Sequence, residues 1–226
     1  MLKFFKMLVG LLLLPACWGT SVCVYKLYQT SPDFGSVSGL ESWAFPIGFL
    51  LWVFLFFILP RPFRTYVLAH ELTHAITSIL MGGRVGKIKV GKDGGHVELT
   101  KTNFIITLAP YFFPFYTFLV IGLYYLLGIW LSVETHKAWW LGAVGLTWAF
   151  HITFTLHVLA EHQPDIQEHG RIFSYTVIYL ANVLIIGLWV VSVGTPKIST
   201  FGKLLVKENA TAYTQTYHRF SAIYPR

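Results

Sequence analysis

Residues 60–83 read PRPFRTYVLAHELTHAITSILMGG, and the reading of the whole chain turns on them. Pro60 and Pro62 break off the apolar run that precedes them, while a proline is tolerated at the entrance of a new helix. Gly82-Gly83 supply the stop signal. One helix is therefore predicted over 63–81, with His70, Glu71 and His74 at its centre. Four residues of α-helix turn through about 400°, so His70 and His74 stand about 40° apart on one face. His70-Glu71-Leu72-Thr73-His74 fits H-E-x-x-H, in which two imidazoles grip one zinc ion and the glutamate works on water beside it. Such a short pattern also arises by chance on soluble surfaces. Here Ala69, Leu72, Ala75 and Ile76 surround it with apolar side chains. Two histidines and a glutamate in such a helix are costly unless paired, protonated or ligated.

The composition places that helix in a membrane. Of 226 residues, 55% are hydrophobic and only 12% charged, against roughly 25% charged in a soluble domain. This excludes an ordinary soluble protein and a disordered one. The two cysteines, Cys17 and Cys23, both fall in the first apolar run. They can build neither a disulfide scaffold nor a cysteine zinc cage, so a metal site must use His, Asp or Glu. The net charge of +7 reads as basic loops flanking membrane spans. No Arg/Lys stripe with interleaved aromatics lies on a water-facing segment, so nucleic acid is not an expected partner.

Apolar stretches recur near 7–28, 43–59, 63–81, 104–132, 138–160 and 172–194. The first follows Lys3 and Lys6 like a signal peptide but has no convincing cleavage site, and is read as an uncleaved span. Ser31 to Ser42 is a Gly/Ser-rich loop without Lys or Arg. Between 84 and 101, Val85, Ile88, Val90, Val97 and Leu99 alternate with Lys87, Lys89, Lys92 and Glu98 around Asp93-Gly94-Gly95, the pattern of a β-hairpin. Pro110 and Pro114 predict a kink or break in the fourth stretch. The fold class expected is an all-α polytopic membrane protein, with about five to six transmembrane or re-entrant helices and a short hairpin after the H-E-x-x-H helix. Residues 1–195 form one integral membrane domain and 196–226 a polar basic tail. The lipid bilayer is the expected surrounding.

Two histidines leave one protein ligand to find, with a fourth position reserved for water. One candidate is Glu98, 24 residues after His74. The other lies in the polar knot His157, Glu161, His162, Asp165, Glu168 and His169, where Asp165 is preferred. If every apolar stretch crosses the bilayer, Asp165 and His70 end near opposite faces. If the H-E-x-x-H helix dips in and returns with its hairpin, they share one. The count of basic residues favours neither arrangement.

The motif His70 to His74 in an apolar helix, Gly82-Gly83 and the hairpin, Leu108-Ala109-Pro110, and a distal Pro164-Asp165 with Gly170 together resemble the site-2 protease family of intramembrane zinc metalloproteases. The likeness spans roughly residues 63 to 175 and is closest to the compact branch without a PDZ domain. It departs in the distal motif, where Pro164 directly precedes Asp165 and the glycine comes only at Gly170. The resemblance implies zinc held by His70, His74 and Asp165, with Glu71 as the base. It implies a multi-pass protein, of the bacterial inner or plasma membrane, that cleaves membrane-embedded substrates by Glu-assisted attack of zinc-bound water. A non-catalytic scaffold and a transporter with a metal or proton path through His151, His157 and Asp165 are the competing readings. The oligomeric state stays open.

Overall fold

In the computed structural model, residues 2–30, 40–91 and 94–223 are described. Residues 31–39 of the predicted loop and Lys92-Asp93 at the tip of the predicted hairpin lie outside the described residues. In chain order the elements are α1 (Leu2–Leu12), α2 (Leu14–Gln29), α3 (Leu40–Ile58), α4 (Phe63–Leu80), β1 (Val85–Val90), β2 (Gly95–Leu99), α5 (Phe104–Leu108), α6 (Phe115–Leu127), α7 (Lys137–Leu159), α8 (Pro164–His169), α9 (Arg171–Val193) and α10 (Ile198–Ile223), with 3-10 turns at Ala109–Tyr111 and Glu134–His136. The described chain is thus predominantly helical, with one two-stranded sheet.

Three helical stretches are long and apolar enough to cross a membrane: Leu2–Gln29, Glu134–Leu159 and Arg171–Val193. The pair Phe104–Tyr111 and Phe115–Leu127 makes a fourth if counted as one span, bent by 79° at its break. Pro110 and Pro114 sit at that break, as their missing N–H groups require. The stretches near 43–59 and 63–81 are helical too, but lie outside the spanning set; Trp43–Ile58 is apolar but short.

The chain divides into two compact units, Met1–Ser36 with Asp165–Arg226, and Val37–Pro164. In the first, α2 packs against α9 and α10, and α1 against α9. Cys23, Leu27, Val190 and Phe201 form its buried cluster, flanked by Val24, Leu184, Val191, Leu204 and Leu205. The segment read from composition as a polar tail therefore contains a 26-residue helix. Phe201, Leu204, Leu205, Glu208 and Ala212 fall at helical spacing, and this stripe is what it buries. The acidic member is neutralised locally: Lys26 Nζ lies 2.8 Å from Glu208 Oε2.

In the second unit the pairing of α3 with α7 dominates. Small residues bring the two backbones together. A Cβ built on Gly48 would fall 2.0 Å from the carbonyl oxygen of Gly142, and one on Gly145 2.2 Å from that of Phe45. Away from this crossing, aromatic pairs fill the seam: Trp52 with Phe150 at 5.0 Å and Phe56 with Phe154 at 5.4 Å between ring centroids. Trp52 Nε1–H also donates to Thr153 Oγ1 at 2.9 Å, so the indole brings no orphaned donor into the seam. Helix α4 lies against both hairpin strands and the 3-10 turn Ala109–Tyr111.

Candidate metal centre

Helix α4 is fixed at both ends by its own sequence. Pro62 is its N-cap. At the other end Gly82 adopts φ 79°, Gly83 N–H donates to Ser78 O at 2.7 Å and Gly82 N–H to Ile79 O at 2.9 Å. This is a Schellman stop, which needs a left-handed residue and takes glycine at low cost. Ser78 Oγ–H then donates to Lys101 O, and Lys101 Nζ to Met81 O, so the base of the hairpin is tied to the end of the helix. The strands pair antiparallel, with Ile88 opposite Val97, Lys89 opposite His96 and Val90 opposite Gly95. The register shifts between Val85 and Ile88, where β1 carries an extra residue.

With the helix so held, His70 Nε2 and His74 Nε2 converge to 3.1 Å. Two nitrogens at 2.0–2.1 Å from one tetrahedral zinc stand about 3.3 Å apart, so this spacing fits a shared ion. Each ring is braced at its other nitrogen. His74 Nδ1–H donates to Ile106 O at 2.9 Å, and His70 Nδ1 lies 3.2 Å from Tyr66 Oη. The Ile106 carbonyl has a reason to be open: its helical partner four residues on is Pro110, which has no N–H to give. Asn103 positions that single turn, its Oδ1 accepting from the N–H groups of Ile105 and Ile106 at 2.9 and 3.0 Å. Braces of this kind orient metal-ligating histidines and set their tautomer. The Tyr111 ring is fully buried and meets the His70 ring edge-on at 5.3 Å.

One ligand atom each from His70, His74 and Asp165 lie within 4.8 Å of one another, and this His/His/Asp group could hold a metal ion. Among the described residues no other such group of three occurs. The donor set, two imidazoles and a carboxylate, is one that zinc accepts. Glu71, next to His70, is 6% exposed. Gly95 of β2 rests on it: a Cβ there would lie 2.7 Å from Glu71 Oε1.

The other sequence candidate for third ligand is placed elsewhere. Glu98 is exposed on β2, its Oε2 accepting from Lys87 N–H at 3.3 Å. The remaining members of the polar knot have their own neighbours. His157 Nε2 lies 3.7 Å from Glu161 Oε1 and 3.3 Å from Arg61, and His162 is exposed. His169 is buried, with Lys6 Nζ at its Nδ1. Burial first, and the Lys6 charge second, push the His169 pKa below its ordinary value, against the opposing pull of Glu168 and Asp165.

The sequence reading missed Tyr66, the Ile106 carbonyl and Gly95. Tyr66 carried a signal, being one helical turn before His70 on the same face, and Pro110 four residues after Ile106 carried another. Comparison with family models, curated proteins and solved structures gave no match.

Proposed function

We propose that the protein is an intramembrane zinc metalloendopeptidase of the site-2 protease kind, cleaving membrane-embedded protein substrates. The observation that carries this reading is the convergence of His70 and His74 Nε2 at 3.1 Å with both Nδ1 atoms braced. Asp165 completes the ligand set. A zinc ion held by the three would supply Lewis acidity toward water and toward a peptide carbonyl. Glu71 takes the proton of the attacking water and returns it to the leaving amine. Its burial excludes bulk solvent from that transfer. The hairpin receives the substrate: hydrolysis needs an extended main chain, and an unpaired strand edge offers hydrogen bonds that an intact helix does not seek.

The test compares membrane proteomes of cells carrying the wild type and Glu71→Gln at equal abundance. Membrane proteins cut near a hydrophobic segment only in the wild type are the expected result. Identical proteomes would turn the reading toward a scaffold.

A further inference from the structure

Helix α8, which carries Asp165, is only six residues long. So short a helix does not hold its own shape, and the placing of the Asp165 carboxylate depends on what grips α8 from outside. One grip comes from α9: Ile166 is buried, and Ser174 Oγ–H donates to its carbonyl at 3.3 Å. Another comes from the first helix of the chain. Lys6 Nζ–H of α1 donates to Nδ1 of His169, which is 3% exposed and stands one helical turn after Asp165 on the same face.

Backbone contact sets this pairing. A Cβ on Gly10 would fall 2.8 Å from Phe173 Cα, so α1 and α9 touch main chain to main chain. The contacts of Cys17 Sγ with Thr176 O and of Ser21 Oγ with Tyr179 Oη show that the chain continues in the same direction beside α9. Lys6 lies four residues before Gly10 and His169 four before Phe173, so the Gly10 crossing brings lysine and imidazole together one turn earlier. A lysine in an apolar helix is costly unless it is paired. Lys3, the other basic residue of the signal-peptide-like start, is exposed, whereas Lys6 is half-buried.

We propose that Lys6 is a positioning residue of the metal centre, which through its hydrogen bond to His169 holds α8, and with it the carboxylate of the third ligand Asp165, in place. This rests on the zinc site proposed above and adds a residue on which its ligand set depends. The segment that looks like a signal peptide is then a working part of the site, because without it α8 loses one of its grips.

The test uses detergent-purified full-length protein. Zinc affinity is measured by competition against a chelator of known affinity, beside the unfolding midpoint of the metal-free protein. Lys6→Met, which keeps an apolar stem and deletes the donor, is expected to bind zinc about ten-fold or more weakly with its metal-free midpoint close to that of the wild type. Lys6→Arg, which keeps a cationic donor, regains most of the affinity, and Lys3→Met leaves it unchanged. If Lys6→Met fails to fold, His169→Leu removes the same bond from the acceptor side and is held to the same outcomes. Unchanged affinity in the folded variant overturns the proposal and leaves the endopeptidase reading intact. So does a loss that only follows a fall in the metal-free midpoint, or one that Lys6→Arg does not restore. A folded wild type that binds no zinc overturns both.

Discussion

A methyl group at Gly95 would sit 2.7 Å from Glu71 Oε1 and 2.6 Å from Val67 Cγ1, so the backbone of β2 rests directly on the carboxylate of the H-E-x-x-H helix. The φ of Gly95 is not positive. Its need for glycine is steric, and the obstructing atoms are those of Val67 and Glu71. Gly95→Ala forces either Glu71 or the strand to move. Cleavage is expected to fall on the order of 100-fold, the scale of an ångström misplacement, while zinc content stays at the wild-type level. Parallel activity and metal assays check this; undiminished cleavage would show that the strand gives way freely.

The brace on His70 can be removed without disturbing the core. Tyr66 stacks on Phe154 at 5.0 Å, and Tyr66→Phe keeps that ring while deleting the hydroxyl 3.2 Å from His70 Nδ1. Zinc affinity is expected to drop by about 10- to 100-fold. Competition against a chelator of known affinity measures it. Unchanged affinity would mean that His70 is oriented by its ring contacts alone.

How far the sequence reached depends on what kind of information each feature used. Periodic and punctuating residues are local, so α4 between Pro62 and Gly82, the hairpin and the break at Pro110 and Pro114 were all readable. The H-E-x-x-H pair was readable because both histidines lie on one helix. Helix α10 was passed over because its buried stripe includes Glu208, which compositional reading scores as polar. Its partner Lys26 is 182 residues away in sequence, and only folding shows that the charge is matched. The same distance effect hid Gly95 against Glu71 and Tyr111 against His70. Between Glu98 and Asp165 the sequence could express only a preference, since strand register decides where Glu98 points.

Helices α3 and α7 touch backbone to backbone, so side-chain volume at the crossing is the sensitive quantity. Gly48→Val and Gly145→Val each insert atoms where a single Cβ would already lie 2.0 and 2.2 Å from a carbonyl oxygen. Each is expected to destabilise by about 3 kcal/mol or more, the upper range for overpacking. Thermal unfolding in detergent reads the effect. Gly122, with open space around its Cβ position, serves as the tolerant control.

Acid should weaken the packing around His169. Its pKa is depressed in the folded protein by burial and by Lys6, so as pH falls the unfolded chain takes up the proton first. Stability from this group is fully present above the ordinary value of 6.5 and declines as pH drops below it. His169→Asn is expected to flatten the decline between about pH 6.5 and pH 5, the range where free histidine titrates. Unfolding midpoints of both proteins across that range decide the point, and parallel slopes would clear His169 of any part in it.

Metal content per chain decides whether His70, His74 and Asp165 hold one zinc ion. Detergent-purified wild type should carry about one zinc, and folded His70→Ala and Asp165→Ala should each carry almost none. A folded wild type that binds no zinc, or zinc that persists in both variants, would mean that these three residues form no zinc site.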